Sequence, residues 1–371
     1  MNKINAVFKE DNALIVRFNE GLSIRFEDCW LRDHCRCSTC YHASTFQRAH
    51  HILDIPEVTI VKFEFDYSEL RVIWSDKHGS AYKSDFLIKF DYKSWIESKR
   101  LKPKVWTGNR VADIIFRESV KNFLNSVEGS KRVFQSLLNY GIAVVDGVDP
   151  SLEATETVCK ALGGVQHTMF GGMWTLIANA ERADTAYTTL PLAAHNDNTY
   201  FTEAAGLQIF HCLDHSNGTG GNTILVDGFY GALRLKEEHP EDYKFLTTFN
   251  LEAEFYDEDH HYTHSAPVIE INRDTGDIKQ IRFNVYDRSA MAFPDSETCR
   301  AYYRSIKNLA RYYRDPDNHW ELKLKPGMVI AIDNFRVLHG RTEFSGNRTL
   351  CGSYVSRSDW LNKARKLQLI Q

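Results

Sequence analysis

The chain has 371 residues, of which 43% are hydrophobic and 25% charged, a composition typical of a folded protein with a substantial core and more than one domain. Its formal net charge of -4 provides no basic field that would attract nucleic acid, and no segment is apolar for long enough to cross a membrane. We therefore expect a small-molecule partner, and neither a nucleic acid nor a membrane.

The first hundred residues predict a small β-rich N-terminal domain, residues 1–100. Short runs such as NALIVRF, GLSIRF and ELRVIW alternate apolar and polar residues in part, as strands do. Residues 101–127 are rich in charge and contain one Pro and one Gly, so we predict a linker there.

A cluster of cysteines in the N-terminal domain predicts a metal site. Three thiolates in one loop, with a histidine at a hairpin tip, form the closed tetrahedral set of a structural zinc site, which would not be catalytic. The predicted zinc ligands are Cys35, Cys37, Cys40 and His78. The sequence leaves two alternatives open, namely free cysteines, or His34 or His42 as the fourth ligand.

The cysteine cluster and the first residues also bear on the compartment. Clustered cysteines in a long chain without an apolar signal segment indicate a reducing environment. The opening MNKINAVFKEDN is not Arg-rich and acid-poor, as a transit peptide would be. We expect a cytoplasmic protein, or a mitochondrial matrix protein if this is a processed form, and we expect a homodimer as the default assembly.

Residues 128–371 predict a larger, mainly β domain. It starts with a helical pattern in KRVFQSLLNYG, closed by Gly141, and continues with many short strand candidates such as AGLQIFHCL, GNTILVDG and MVIAID. Strands punctuated by Gly, Asn and Asp favour a double-sheet jelly roll with flanking helices over a parallel sheet. We interpret the histidine-rich run of residues 259–264 as a solvated loop rather than a metal site.

A candidate iron site lies in this domain. His195 and Asp197 are two residues apart, so both side chains lie on the same face of an extended strand. A strand-like segment carries His339, 144 residues further on. Two imidazoles and one carboxylate form the facial triad of non-heme iron(II) oxygenases, which leaves metal positions open for a co-substrate and oxygen. A lone His-x-Asp pair is common by chance, so the assignment depends on the second segment.

An arginine near the triad predicts the co-substrate. The open metal positions suit a bidentate oxo-acid, whose distant carboxylate needs a cation. Arg348, nine residues after His339, can hold that carboxylate with its planar fork, and Thr223 can add a hydroxyl donor. For Arg341 we expect a surface ion pair.

Several segments resemble the carnitine-pathway oxygenases, the family of trimethyllysine and γ-butyrobetaine dioxygenases. They are WLRDHCRCSTCY, DTAYTTLPLAAHNDNTYF, GLQIFHCLDH, GGNTILVDGFYGA, RFNVYDR, DNFRVLHGRTEF and RTLCGSYVSRSDWLNKARKL. The resemblance runs from about Trp30 to Lys366, and DTAY, NVYDR and the short step from His339 to Arg348 are similar to the trimethyllysine branch.

The resemblance implies a double-stranded β-helix fold and hydroxylation of N6-trimethyllysine at carbon 3, the first step of carnitine biosynthesis. It implies iron(II), 2-oxoglutarate and O2, with ascorbate as a supporting reductant. It also strengthens the prediction of a structural zinc in the N-terminal domain.

The resemblance further implies a substrate site for a quaternary ammonium group. Such a group cannot donate hydrogen bonds, so aromatic faces attract it through cation-π contacts. The aromatic residues that match the family's cage are Phe170, Trp174, Tyr187 and Tyr354. Asp184 is the candidate partner of the substrate's α-amino group, although a loop-capping role is the alternative. Asn284 is the candidate partner of its carboxylate.

Three other functions are weighed against this one. Hydroxylation of γ-butyrobetaine to carnitine shares the fold, the iron and the cage. A catalytically silent zinc-containing scaffold would not need an intact triad with Arg348. A zinc hydrolase could use the triad with an activated water, but it would need neither Arg348 nor an aromatic cage.

Overall fold

The computed structural model describes residues 3–177, 188–216 and 218–371. Contacts between Cα atoms divide the chain into two compact units, Met1–Arg100 and Leu101–Gln371. Each unit has its own hydrophobic core. Within the described ranges, no helix is both long and apolar enough to cross a membrane.

The first unit is built from two antiparallel three-stranded sheets, β1-β2-β3 and β6-β7-β8, and a small hairpin, β4-β5. In β2, Leu14, Val16 and Phe18 are buried in the core of the unit, which is the alternation that the sequence indicates. The strands are β1 (Ile4–Glu10), β2 (Ala13–Phe18), β3 (Ser23–Glu27), β4 (Tyr41–His42), β5 (Gln47–Arg48), β6 (Ile60–Phe65), β7 (Glu69–Trp74) and β8 (Gly79–Lys83). The helices are α1 (Asp28–Asp33), α2 (Ser84–Leu87) and α3 (Tyr92–Lys99).

The second unit contains a six-stranded sheet in the order β11-β22-β13-β20-β10-β9 and a four-stranded sheet in the order β12-β21-β14-β19. Two hairpins, β15-β16 and β17-β18, complete its described strands. The strands are β9 (Arg117–Ser119), β10 (Ile142–Asp146), β11 (Met173–Ile177), β12 (Leu192–His195), β13 (Leu207–Asp214), β14 (Thr223–Asp227), β15 (Leu251–Tyr256), β16 (His261–Ala266), β17 (Ile269–Ile271), β18 (Ile278–Ile281), β19 (Trp320–Leu322), β20 (Met328–Asp333), β21 (Val337–Arg341) and β22 (Thr349–Val355).

The second unit also contains helices, most of which pack on the outer faces of these sheets. They are α4 (Gly108–Ile114), α5 (Val120–Asn125), α6 (Val127–Tyr140), α7 (Leu152–Leu162), α8 (Gly228–Glu238), α9 (Pro240–Thr248), α10 (Ser296–Arg314) and α11 (Arg357–Lys366). The end of α6 is as predicted, because Gly141 adopts a left-handed conformation with a φ of 75° and its N–H bonds Leu137 O.

The central strand β13 shows how the core is divided. Its residue Ile209 packs with the helices on the outer face, whereas Phe210 packs inward with residues of the four-stranded sheet such as Leu225. The two sheets therefore lie face to face around an apolar interior, as the sequence predicts for a jelly roll.

The segment predicted as a linker, residues 101–127, is folded into the second unit. Strand β9 pairs in parallel with β10, Phe123 is buried against α6 and α7, and Trp106 and Val111 lie in the inner core. Most charged residues of this segment are exposed, whereas Glu118 is buried and pairs with Arg132, and these charges mask the apolar positions that pack. We therefore propose a domain boundary near Leu101 rather than a linker that extends to residue 127.

Candidate active site

Two histidines and an aspartate that are distant in sequence meet at the β12–β21 pair. His195 ends β12, and its direct antiparallel partner on β21 is His339. Oδ1 of Asp197 lies 3.4 Å from Nε2 of His195 and 3.5 Å from Nε2 of His339. One ligand atom from each residue lies within 4.8 Å of the others. The structure thus brings the three predicted iron ligands together.

The chemistry of these three side chains fits iron(II). Two imidazole nitrogens and one carboxylate oxygen lie close together, and all three side chains line one cavity, as a facial triad with open metal positions requires. Nδ1 of His195 lies 2.8 Å from Ala193 O, so a hydrogen on Nδ1 satisfies that carbonyl and leaves the Nε2 lone pair for a metal.

Two further residues hold Asp197 in place, a role that the sequence analysis assigned to neither of them. Oδ1 of Asn334 accepts the backbone N–H of Asp197 at 2.9 Å, and Nδ2 of Asn334 donates to Asp197 O at 3.0 Å. The hydroxyl of Tyr354 donates to Oδ2 of Asp197 at 2.9 Å. Oδ1 is left facing the two imidazoles. Tyr354 was expected only as a cage residue, and the DN pair in DNFRVLHGR was the available signal for Asn334.

The electrostatics of the site favour the protonation states of metal ligands. Burial lowers the pKa of His339 to about 4, so that its imidazole is neutral at pH 7. Burial alone would raise the pKa of Asp197, but the charge of His339 and the hydrogen bond with His195 outweigh it and lower the pKa to about 2. Burial also disfavours the charged form of His195, yet Asp197 raises its pKa above the usual value. A metal ion would compete with that proton.

A cavity of about 370 Å³ opens beside the triad. Its volume is enough for a co-substrate and part of a substrate. Six residues that the sequence analysis singled out for ligand binding line it together with the triad: Phe170, Trp174, Thr223, Asn284, Arg348 and Tyr354. The structure therefore brings the described candidates for co-substrate and substrate binding into one space.

Arg348 is buried in this cavity, with 7% of its surface exposed. Within the described parts of the chain, no carboxylate lies within ion-pair distance of its guanidinium, so its charge faces the cavity uncompensated. The chain passes close to it at Gly221, where a Cβ would lie 3.1 Å from Cδ of Arg348. Glycine, with a φ of +69°, suits that approach. Thr223, at the start of β14, lines the same cavity.

Aromatic side chains form one wall of the cavity around Tyr354. The ring centroid of Trp174 lies 6.3 Å from that of Tyr354, and the centroid of Phe170 lies 6.5 Å from it. Phe255, which the sequence analysis missed, lies 6.3 Å from Phe170 and also lines the cavity. Its position in the strand EAEFY carried no signal that would separate a cage residue from a core residue.

Asn284 lines the cavity, but its amide hydrogens are engaged within the protein. Nδ2 donates to Asn196 O at 3.3 Å and to Oδ2 of Asp287 at 2.6 Å. Two other predicted substrate residues, Asp184 and Tyr187, lie outside the described residues.

The expectation of a surface ion pair for Arg341 is wrong, because Arg341 is buried with 5% of its surface exposed. Its guanidinium donates to the backbone carbonyls of Thr188 and Leu190. Arg341 ends β21, where its side chain joins that strand to the segment that precedes β12. The sequence pattern did not indicate this role, since those acceptors are main-chain atoms.

The four predicted zinc ligands meet in the first unit. Nε2 of His78 lies 3.4 Å from Sγ of Cys35, 3.7 Å from Sγ of Cys37 and 3.6 Å from Sγ of Cys40. A tetrahedral zinc ion, with bonds of about 2.3 Å to sulfur and about 2.0 Å to nitrogen, implies sulfur-to-nitrogen separations of roughly 3.6 Å. The cluster is therefore compatible with zinc.

The alternative histidines are placed elsewhere. Nδ1 of His34 lies 2.8 Å from Trp30 O, and its ring stacks on the Trp30 ring at 4.0 Å. His42 is an exposed residue of the small strand β4. Neither belongs to a group of possible metal ligands within the described residues.

Comparisons with known proteins follow the same division of the chain. The model of the taurine catabolism dioxygenase TauD, TfdA family matches residues 112–354, and the model of the γ-butyrobetaine hydroxylase-like N-terminal region matches residues 6–88. A taurine dioxygenase from Burkholderia xenovorans superposes with a TM-score of 0.51 at 13% identity, over 70% of this chain and 91% of that chain. The predicted double-stranded β-helix fold is thereby confirmed.

Curated relatives are similar over nearly the whole chain. This chain is 38% identical to the mitochondrial trimethyllysine dioxygenase of Rattus norvegicus, with 93% of this chain and 83% of that protein covered. The Homo sapiens protein of the same name gives the same values. A trimethyllysine dioxygenase of Meyerozyma guilliermondii is 31% identical over 99% of this chain and 96% of its own length.

Proposed function

Because this chain belongs to the trimethyllysine dioxygenase family, we propose that it hydroxylates N6-trimethyllysine to 3-hydroxy-N6-trimethyllysine, the first step of carnitine biosynthesis. It does so as an iron(II)- and 2-oxoglutarate-dependent dioxygenase that consumes O2, with ascorbate as a supporting reductant. The observation that carries the proposal is a single cavity that combines a facial triad, a buried arginine and an aromatic wall.

His195, Asp197 and His339 hold the iron through Nε2, Oδ1 and Nε2. When bound, iron(II) supplies the oxygen chemistry that couples decarboxylation of 2-oxoglutarate to hydroxylation of an unactivated carbon. The protein contributes position and charge. Asp197 remains ionised because its neighbours lower its pKa to about 2, and His339 remains neutral because burial lowers its pKa to about 4.

Arg348 binds the carboxylate of 2-oxoglutarate that is distant from the iron. Its guanidinium is buried beside the triad, and a planar fork of donors holds a carboxylate in a fixed orientation. Thr223 adds a hydroxyl from β14. Burial lowers the pKa of Arg348, which shows that its charge is unfavourable inside the protein, and a carboxylate of the dianionic co-substrate neutralises that charge.

The aromatic wall receives the trimethylammonium group of the substrate. Trp174, Tyr354 and Phe170 line the cavity, and aromatic faces attract a cation that has no hydrogen to donate. Tyr187 belongs to the same proposal. Asp184 would pair with the α-amino group that γ-butyrobetaine lacks. For Asn284 to donate to the substrate carboxylate, its bond to Asp287 must be exchanged.

In the first unit, we propose that Cys35, Cys37, Cys40 and His78 bind a structural zinc ion. Their separations suit a closed tetrahedral site with no position for a substrate.

The assembly that we propose is a homodimer, which light scattering would detect as twice the chain mass of 42.8 kDa. We propose a cytoplasmic location, with the mitochondrial matrix as the alternative, and cell fractionation decides between them.

Product identification by mass spectrometry tests the proposed function. Purified protein with iron(II), 2-oxoglutarate and O2 is given trimethyllysine or γ-butyrobetaine in separate reactions. We expect a gain of one oxygen on trimethyllysine, with one succinate formed for each product. The variant Arg348→Met tests the proposed binding of 2-oxoglutarate. Its Michaelis constant for 2-oxoglutarate should rise by roughly a hundredfold, since two charge-assisted hydrogen bonds are lost.

Three results would contradict the proposal in different ways. Carnitine as the preferred product would assign the chain to the γ-butyrobetaine reaction. No consumption of 2-oxoglutarate with either substrate would favour a silent scaffold. An unchanged Michaelis constant for 2-oxoglutarate in Arg348→Met would move the co-substrate carboxylate to another residue.

A further inference from the structure

A second cavity, of about 170 Å³, lies beside the active site in the second unit. Its walls come from β15, from the segment after β18 and from α10. Asn284 and Asp287 line both cavities, so the two spaces share a wall. The proposed reaction assigns no role to this second cavity.

The unusual feature of the second cavity is a buried cation, Arg282. Only 8% of its surface is exposed. Its Nη2 donates to the backbone carbonyls of Thr199 and His264, while its Nε is buried with no hydrogen-bond partner. No carboxylate lies within ion-pair distance of Arg282 in the ranges that the structure describes. Glu270, whose charge acts on it, is paired with Lys279 at 2.6 Å.

The charge of Arg282 is retained at neutral pH. Burial lowers its pKa to about 10, which still leaves the guanidinium protonated. An ionised group without a counter-charge is costly inside a protein, and neutral carbonyls compensate it only in part. A second polar group beside it also lacks a partner, since Oγ1 of Thr199 is buried and unbonded among the described residues.

The remaining charges around the cavity balance one another. Exposed Lys307 and Arg288 add two positive charges, and Glu252 and Asp287 add two negative ones. Asp287 already accepts a hydrogen bond from Asn284, and Glu252 is exposed to water. The buried charge of Arg282 is therefore the net charge of the cavity. A ligand that complements it must be small and anionic and must accept hydrogen bonds.

We propose that the second cavity binds a small oxyanion, a phosphate or a small carboxylate, between Arg282, Thr199 and Lys307. The anion accepts hydrogen bonds from the Arg282 guanidinium and lies beside the side chains of Thr199 and Lys307, which line the same cavity. Thr199 follows Asp197 by two residues, and Arg282 bonds its carbonyl. The anion thus neutralises Arg282, which is hydrogen-bonded to the same segment that carries the iron ligand Asp197.

Calorimetric titration of the full-length protein without iron tests this site, with inorganic phosphate, acetate and chloride as separate probes at equal ionic strength. We expect one saturable site per chain for phosphate or acetate. The tighter binder of the two oxyanions shows whether the site prefers a phosphate or a carboxylate. Arg282→Met should weaken binding by at least about tenfold, which corresponds to one charge-assisted hydrogen bond.

Control variants separate this site from the active site and from folding defects. Arg348→Met removes a buried arginine of the active-site cavity, and this variant should bind the anion as the unmodified protein does. Lys307→Gln changes an exposed residue of α10, so the fold should be kept, and binding should weaken severalfold, roughly the value of an exposed charge pair. Arg300→Gln, on the same helix but outside the cavity lining, should have no effect.

The outcomes distinguish binding in the second cavity from binding in the active-site cavity. Loss of binding in Arg282→Met and weakening in Lys307→Gln, with Arg348→Met unaffected, support the second site. Loss in Arg348→Met with Arg282→Met unaffected overturns it, because the anion would then occupy the active-site cavity. Absence of saturable binding for all three probes overturns it as well. If Arg282→Met does not fold, equal binding by Lys307→Gln and Arg300→Gln overturns the proposal.

Discussion

Tyr354 connects the metal ligands to the aromatic wall of the active site. Its hydroxyl donates to Oδ2 of Asp197, and its ring lies near those of Trp174 and Phe170. Burial raises the pKa of Tyr354 well above its usual value, so the hydroxyl remains a donor at neutral pH. A single side chain therefore has two separable parts, a hydroxyl for the carboxylate and a ring for the substrate cation.

Tyr354→Phe should separate these two parts. The lost bond to a buried carboxylate is worth about 1.5–3 kcal/mol, so we expect the dissociation constant for iron(II) to rise roughly tenfold or more. The Michaelis constant for trimethyllysine should change little, because the ring is kept. Trp174→Leu should show the opposite pattern, with a raised Michaelis constant and unchanged iron affinity. Iron titration and steady-state kinetics on both variants measure this. Equal losses in both would contradict two separate roles.

The sequence alone identified functional residues best where only a few residue types can perform the role, as for metal ligands. His195, Asp197 and His339 were assigned as metal ligands because so few side chains bind iron, and the structure brings them together. Arg341 was misjudged because it is buried and donates to backbone carbonyls, which leave no trace in the sequence. Asn334 was missed for the same reason, since it bonds the main chain of Asp197.

Strand pairing explains how ligands 144 residues apart reach one metal site. The register of β12 with β21 sets His195 directly against His339. Asn334 lies in the turn between β20 and β21, and its amide bonds both backbone groups of Asp197. The turn therefore ties the third ligand to the same pair of strands.

Asn334→Ala should loosen Asp197 and weaken iron binding. Outer-shell partners of metal ligands typically contribute a factor of 10 to 100 in affinity, and we expect a loss of that order. The matched control is Asn308→Ala, a buried asparagine of α10 that donates to Asp242 at 2.6 Å. Both variants should lose stability, but only Asn334→Ala should bind iron more weakly. Similar iron affinities for the two variants would show that Asn334 has only a general structural role.

At the level of elements, apolar periodicity predicted the strands of the core but not those at the surface. Residues 259–264 were interpreted as a loop, yet His261–Ala266 forms β16 and pairs with β15. None of the six residues of β16 is buried, so its two faces differ too little in polarity to produce an alternating pattern. Backbone hydrogen bonds to β15 define this strand, and such bonds do not depend on side-chain type.

At the level of the whole molecule, the chain combines two units with separate cores. The candidate iron site lies entirely in Leu101–Gln371, and the cysteine cluster lies entirely in Met1–Arg100. The cysteines follow α1, and His78 lies in the turn between β7 and β8. A zinc ion there would join the end of the first sheet to a turn of the second sheet within the first unit. Spacing in the sequence was enough to predict this cluster, because tetrahedral zinc sites use few ligand types.

The first unit should therefore depend on zinc for its stability. His78→Ala should reduce the zinc content from one ion per chain to nearly none and lower the unfolding temperature of residues 1–100. In a domain of this size, each 1 kcal/mol lost shifts the midpoint by about 4–8 °C, and structural zinc contributes several such increments. Metal analysis and hydrogen exchange measure both effects. His42→Ala, in an exposed histidine near the cluster, is the control and should retain zinc. Because the second unit has its own core, its iron affinity should be the same in His78→Ala as in the unmodified protein. If His42→Ala loses zinc and His78→Ala retains it, the fourth ligand is His42.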